Sequence, residues 1–354
     1  MTMPKKQPEV IITRKGRAGR ITMNRPDALN ALTYPMVGMI FDALSQWAED
    51  PRVELVILDA AGTRGLCAGG DIVAFYDSRN DGADFGRQFW RDEYRLNDFI
   101  GRYPKPYIAI MDGIVMGGGI GLSAHGSHRI VTEKSRLAMP ETGIGLVPDV
   151  GGSWLLGHAQ GELGTYLGLT GSQMSGADAI QTGFADSFVP AHRLPALIAG
   201  LEQRGAGMAD DVISEFETTI PHSALAQARR DIDDWFGFDN VEEILARLNS
   251  TTSEVAQKAR NALQRKSPKA SKLALAAMRK ARLLPDLAAA LTLEYRLVTR
   301  LLEDGEFIEG VRALIIDKDR RPQWSPSRLE DVSAQMVEAY LAPLPPGEEL
   351  VLSR

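Results

Sequence analysis

Residues 110–131 read I-M-D-G-I-V-M-G-G-G-I-G-L-S-A-H-G-S-H-R-I-V, and residues 138–152 read A-M-P-E-T-G-I-G-L-V-P-D-V-G-G. An apolar, strand-like run over 107–111 feeds a turn at Asp112-Gly113. Gly117-Gly118-Gly119 follows, then the small residues Gly121, Ser123 and Ala124. Three glycines at the start of a helix leave backbone N–H groups bare, with no side chain to hold a ligand off. Glu141 and Asp149 come next, each directly after a proline and set among apolar or glycine residues. Bare amides beside carboxylates in apolar surroundings are the parts of a site that polarises a carbonyl and moves a proton. A glycine run alone is a weak motif and fits a helix packed on a strand, with the carboxylates as helix caps. The combination points to a site.

Working outward, 10–13 and 20–23 read as two strands around Lys15-Gly16-Arg17-Ala18-Gly19, a hairpin signal. Apolar residues at helical spacing predict a helix over 34–49, and 55–58 is a short buried strand. Residues 60–71 form a loop with a second glycine pair, Gly69-Gly70. Strand, helix and strand alternate in this way up to residue 111, which predicts an α/β layout. A helix is expected over 84–101, with Phe85, Phe89, Leu96 and Ile100 on one stripe. Glu93 falls on that stripe too. Either it finds a partner inside, because a lone buried carboxylate is costly, or the helix rolls to bring it to water beside Arg91 and Asp92. Beyond Gly152 the pattern predicts helices over 154–169, 175–182 and 194–201, with 184–189 extended. Further helices are expected over 241–248, 255–265, 268–284 and 287–302, and a last strand-like run over 313–316. An α/β catalytic core over 8–205 and a helical region over 206–354 are the expected units.

A chain of 354 residues with 44% hydrophobic and 24% charged residues is ordinary for a globular protein with a large core. The net charge of -6 argues against nucleic acid as a partner but allows a local basic pocket for phosphate. Cys67 is the one cysteine, so no disulfide framework and no thiolate metal cluster is expected. It reads as a small packing residue. His125 and His128 lie three apart, short of a metal set, and read as structural. No apolar stretch approaches the ~20 residues that span a bilayer. The opening M-T-M-P-K-K-Q-P-E has no apolar run behind its lysines, so a cytoplasmic enzyme is expected.

The loop C-A-G-G-D-I, the G-G-G run and the P-E-T-G-I-G segment together resemble the enoyl-CoA hydratase/isomerase (crotonase) superfamily. Met116-Gly117-Gly118-Gly119, Ser123-Ala124-His125-Gly126, Met139-Pro140-Glu141-Thr142 and Pro148-Asp149-Val150-Gly151-Gly152 resemble its subgroup that hydrolyses 3-hydroxyisobutyryl-CoA. So does the stretch F-I-E-G-V-R-A at 307–313, and the likeness runs from about residue 24 to residue 326. The resemblance implies a spiral of stacked ββα units with a helical C-terminal region. It implies that the amides of Gly70 and Gly118 hold the thioester oxygen, and that Glu93, Gly118, Glu141 and Asp149 contact substrate. Arg25, Arg64, Ala68 and Lys318 are the expected contacts to CoA, which is part of the substrate; no separate cofactor is expected. The superfamily is often trimeric but this subgroup need not be, so the resemblance allows a homo-oligomer without implying one.

One departure decides between activities. The hydratases of the superfamily carry a second catalytic glutamate where this chain has Gly121, whereas the hydrolase subgroup lacks it and has the later aspartate, here Asp149. Hydrolysis of the thioester of 3-hydroxyisobutyryl-CoA, or of 3-hydroxypropionyl-CoA, is therefore expected. Glu141 is the catalytic carboxylate, as base toward water or as direct nucleophile. Asp149 is the second catalytic carboxylate, serving less as an acid than to orient a 3-hydroxyl, with a helix N-cap as an alternative or added role. The rival readings are a hydratase or isomerase of the same fold, and a non-catalytic scaffold.

Overall fold

The computed structural model describes residues 7–80 and 83–352; the opening residues 1–6, read above for a targeting signal, and the last two residues of the 206–354 region lie outside them. The strands are β1 (Val10–Lys15), β2 (Ala18–Met23), β3 (Leu55–Ala60), β4 (Gly65–Cys67), β5 (Tyr107–Met111), β6 (Ile114–Met116), β7 (His128–Val131), β8 (Arg136–Ala138), β9 (Met174–Ser175) and β10 (Ser187–Phe188). They form two sheets, one of order β1-β2-β3-β5-β7-β10 and one of order β4-β6-β8-β9. β1 and β2 pair antiparallel, Lys15 opposite Ala18, as the hairpin signal predicts. Every later pairing in the larger sheet is parallel.

The order explains the spiral. β3, β5 and β7 lie side by side in the large sheet, while β4, β6 and β8, each the next strand in sequence, lie side by side in the small one. Each turn thus lays one strand in each sheet before a helix closes it. The inner strands carry continuous apolar runs because both faces are covered: all five residues of β5 are buried. The three-residue strands β4, β6 and β8 are absent from the sequence reading, being too short for any period to register.

Two stretches differ from expectation. Residues 154–169 are not one helix but Gly152–His158 and Leu163–Thr170, broken where Gly161 takes φ +61. Residues 313–316 are not a strand. Arg312–Ile316 is a π-helical turn continuing the helix Glu306–Val311, its arginine held by Glu309, Asp317 and Asp319. A short apolar run with two isoleucines cannot be told from a helical turn by pattern. Past β10 every regular element among the described residues is a helix or helical turn, and Pro268–Ala281 and Leu287–Glu303 pack onto Gly152–His158 and Asp84–Gly101. One hydrophobic core runs from Val10 to Leu350 through both parts. No helix among the described residues is long and apolar enough to cross a membrane.

Candidate active site

The helix Asp84–Gly101 does not roll. Its stripe of Phe89, Trp90, Tyr94, Leu96 and Ile100 is buried, and Glu93 goes in with it at 3% exposure. Asn97, one turn further, is fully buried. Facing this helix are two glycine turns. At the first, Leu32 N–H donates to Gly69 O and Asp71 N–H to Leu32 O, which leaves the Gly70 N–H outside the bridge. At the second, Gly117 takes φ +47, a conformation open to glycine, and Gly118 begins the helix Gly118–Ser123. The first N–H groups of a helix have no partner within it. The two amides are neighbours: a Cβ added to Gly118 would lie 3.3 Å from Gly70 N.

Carboxylates crowd these turns from both sides. That same Cβ would sit 2.7 Å from Glu93 Oε1, and one on Gly117 would sit 3.1 Å from Glu141 Oε1. Glu141 opens the 3-10 turn Glu141–Ile144 after β8 and is 5% exposed. Among the described residues neither Glu93 Oε1 nor Glu141 Oε2 has a hydrogen-bond partner. Buried polar atoms are rarely left so, and here they line a cavity of about 630 Å³. Ala68, Gly70, Glu93, Gly118, Glu141 and Asp149 all line it.

Asp149 is held differently. Its Oδ2 accepts from Tyr94 Oη at 2.7 Å. It does not cap the helix Gly152–His158. That role falls to Glu294 of Leu287–Glu303, which accepts from Gly151 N–H at 2.7 Å and Ser153 N–H at 2.8 Å. Val150, between them, takes φ +52, and His125 Nε2 lies 2.7 Å from its carbonyl oxygen. A β-branched residue in the left-handed region is strained by about 1–3 kcal/mol and persists only where its surroundings enforce it.

Burial, with the charge of Asp149 added, pushes Glu93 and Glu141 well above the ordinary carboxylate range. Lys266 pulls Glu141 back the other way. Burial raises Asp149 to about 7 against the Tyr94 hydrogen bond, and raises Glu294 to about 8. The Cys67 thiol is pushed up to about 12 by burial, which leaves it inert, and its Sγ lies 3.5 Å from Gly69 O. His128 bonds Ser127 and Asp210 rather than joining His125.

The enoyl-CoA hydratase/isomerase family model matches residues 18–341. The chain belongs to that family. Among curated members of this enoyl-CoA hydratase/isomerase family it is similar to the 3-hydroxyisobutyryl-CoA hydrolase, mitochondrial, of Rattus norvegicus, 40% identical over 95% of this chain and 89% of the relative. The proteins of the same name from Gallus gallus and Homo sapiens are 39% and 38% identical, covering 95% and 92% of this chain and 89% and 86% of theirs. Among solved structures it is similar to a carnitinyl-CoA dehydratase from Mycobacterium thermoresistibile, at TM-score 0.92 and 43% identity over 97% of this chain and 98% of that one. An enoyl-CoA hydratase from Rhodobacter sphaeroides 2.4.1 also matches, at TM-score 0.92 and 45% identity over 98% and 100%.

Within the family frame Gly121 is telling. A Cβ there would lie 2.7 Å from Val150 Cβ and 2.8 Å from Asn97 Nδ2. The place where hydratases of the superfamily put a second glutamate is not vacant here; it is filled.

The expected CoA cations fare less well. Arg25 bonds Asp71 at 3.0 Å and Ala31 O at 2.6 Å, and neither it, Arg64 nor Lys318 lines the cavity. The cations that do are Arg265, Lys266 and Arg320. The sequence reading missed these, along with Tyr94, Asn97 and Glu294. For Tyr94 and Asn97 a signal existed, since both share the buried face that carries Glu93.

Proposed function

We propose that this chain hydrolyses the thioester of 3-hydroxyisobutyryl-CoA, a step of valine breakdown, and that it also takes 3-hydroxypropionyl-CoA. The observation that carries the reading is the filled place at Gly121 beside an intact Glu141 and Asp149. The thioester oxygen lies against the amides of Gly70 and Gly118, the oxyanion hole. Each such donor contributes about 100- to 1,000-fold in rate as charge builds on the oxygen. Glu141 takes a proton from water, which adds to the carbonyl carbon. Its buried setting makes the ionised carboxylate a stronger base than one in solvent. The tetrahedral intermediate then expels CoA as the thiolate of a thiol with pKa about 8.5, so the departure needs little acid help. Asp149 accepts the substrate's 3-hydroxyl, Glu93 borders the acyl group, and Ala68, Arg265, Lys266 and Arg320 meet the CoA.

A second reading, hydration of an enoyl-CoA, is favoured by the likeness to the solved carnitinyl-CoA dehydratase and enoyl-CoA hydratase. Two measurements on the purified protein decide between them. Thiol should appear with 3-hydroxyisobutyryl-CoA, and the enoyl absorbance of methacrylyl-CoA should hold steady. Rapid loss of the enoyl signal without thiol release sinks the hydrolase reading. A cytoplasmic setting and a homo-oligomer remain proposals; fractionating the source cells and light scattering check them. The names of the curated relatives say mitochondrial.

A further inference from the structure

Tyr94 is fully buried and does not border the cavity, yet its hydroxyl reaches into the cavity wall by bonding Asp149 Oδ2 at 2.7 Å. A buried phenol needs an acceptor, and a buried carboxylate needs a donor, so the pair satisfies both. The bond also removes a freedom. With Oδ2 tied down and the adjoining backbone fixed by Val150 at φ +52 and Gly151 at φ +81, Asp149 cannot swing. Oδ1 is then the oxygen open to a ligand. The ring itself is fixed by its edge contact with Tyr295, centroids 6.3 Å apart.

We propose that Tyr94 is a positioning residue that fixes Asp149 as acceptor for the substrate's 3-hydroxyl, and so sets the preference for 3-hydroxyacyl over unsubstituted acyl esters. The proposal rests on the hydrolase reading above. Positioning of this kind acts on the hydroxylated substrate alone, because an unsubstituted ester gives Asp149 nothing to hold. It also acts on the charge of Asp149, which the phenol stabilises against burial. The other titratable groups facing Asp149 are Glu93 on the helix that carries Tyr94, Glu141 on its 3-10 turn and Glu294 on Leu287–Glu303. Lys266 stands beyond Glu141, and His125 against Val150. None of these is altered by removing one phenolic oxygen.

The test compares wild type, Tyr94→Phe, Asp149→Asn and the double variant, by thiol release from 3-hydroxyisobutyryl-CoA and isobutyryl-CoA between about pH 5.5 and pH 9. For the hydroxy ester, Tyr94→Phe is expected to lower kcat/KM about ten- to a hundredfold, the worth of a hydrogen bond to a charged group. For isobutyryl-CoA the change should be no more than about twofold. The double variant should fall no further than Asp149→Asn, since both changes break one unit. The acid limb of the hydroxy-ester profile should move to higher pH. Equal losses on the two esters, or independent losses in the double variant, reduce Tyr94 to packing and overturn the proposal. Wild type that releases thiol from neither ester overturns the hydrolase reading itself, visibly and before any variant is compared. If Tyr94→Phe does not fold, 3,5-difluorotyrosine placed at position 94 keeps the hydroxyl and strengthens the donor. The acid limb should then move to lower pH, and an unmoved limb overturns the proposal.

Discussion

Glu141 and Asp149 are both buried acids, but the structure treats them oppositely, and the difference predicts how substitutions behave. Among the described residues Glu141 Oε2 has no partner, while Asp149 Oδ2 is bonded. A carboxylate with one oxygen free, beside the amides of Gly70 and Gly118, is available for chemistry; one tethered to a phenol is available for recognition. Glu141→Gln keeps the shape and deletes the base, so turnover should fall below about a tenth of wild type while acyl-CoA binding, read by calorimetry, survives. A variant above that level takes Glu141 out of the catalytic role. Asp149 carries a stability consequence as well. Its folded pKa of about 7 stands above the ordinary 3.8, so the folded state binds this proton more tightly than the unfolded chain. The stabilisation is fully present below about pH 4 and is lost as pH rises through 7. Asp149→Asn removes the charge that burial penalises. It should therefore raise Tm by about 1–3 °C at pH 8 and leave it nearly unchanged at pH 4, by thermal scans of the ligand-free protein. Equal Tm changes at the two pH values would show that Asp149 is not held uncharged by its surroundings. The burial of Glu141 was legible from sequence, since proline, glycine and apolar neighbours announce a buried acid. The tether on Asp149 was not, because Tyr94 lies 55 residues away.

At the scale of elements, the segment 149–153 is the piece that the rest of the site leans on, and what fixes it comes from the far end of the chain. Glu294 lies on Leu287–Glu303, yet its carboxylate holds Gly151 and Ser153, including the Ser153 hydroxyl. The periodicity of 287–302 made the helix predictable. It could not show which residue would meet residue 151, because that pairing exists only once the helix packs on Gly152–His158. Glu294→Ala strands three buried donors and should destabilise the protein by about 3–5 kcal/mol in urea unfolding. Glu294→Gln, which can still accept one bond, should lose clearly less. If the alanine variant costs under about 1 kcal/mol, the helical region does not anchor the site. Gly121 makes the matching argument for the helix Gly118–Ser123. Gly121→Glu restores the residue type that hydratases of the superfamily use, but its Cβ would stand 2.7 Å from Val150 Cβ. Overpacking of this kind costs about 1–3 kcal/mol before the new charge is buried. The variant should therefore lose stability and gain no methacrylyl-CoA hydration. Hydration in a folded Gly121→Glu protein would mean the family's two activities are one substitution apart.

For the whole molecule, the alternation of strand and helix made an α/β layout readable, while the ββα spiral came only with the family resemblance that the order of motifs carries. The short strands of the small sheet and the π-turn at Arg312–Ile316 were not readable, because their identity depends on neighbours rather than on local period. The same limit hid the charge pattern. A chain with net charge -6 nonetheless sets Arg265, Lys266 and Arg320 along its cavity, from segments 55 residues apart between Arg265 and Arg320. Folding brings together what composition averages away, and a local basic rim on an acidic protein draws in anionic ligands. If that rim meets the phosphates of CoA, charge reversal there should weaken binding without touching the chemistry. The paired variant Arg265→Glu with Arg320→Glu is expected to raise KM for 3-hydroxyisobutyryl-CoA about tenfold or more, with kcat within about twofold. The pantetheine thioester of the same acid lacks the nucleotide and its phosphates, so its kinetics should be the same for wild type and variant. Raising the salt should narrow the gap on the CoA ester, because exposed charges are screened within about 8–10 Å at ordinary ionic strength. A KM rise of equal size on both thioesters would place the two arginines against the acyl arm or in the fold. An unchanged KM on the CoA ester would move the phosphate site elsewhere on the molecule.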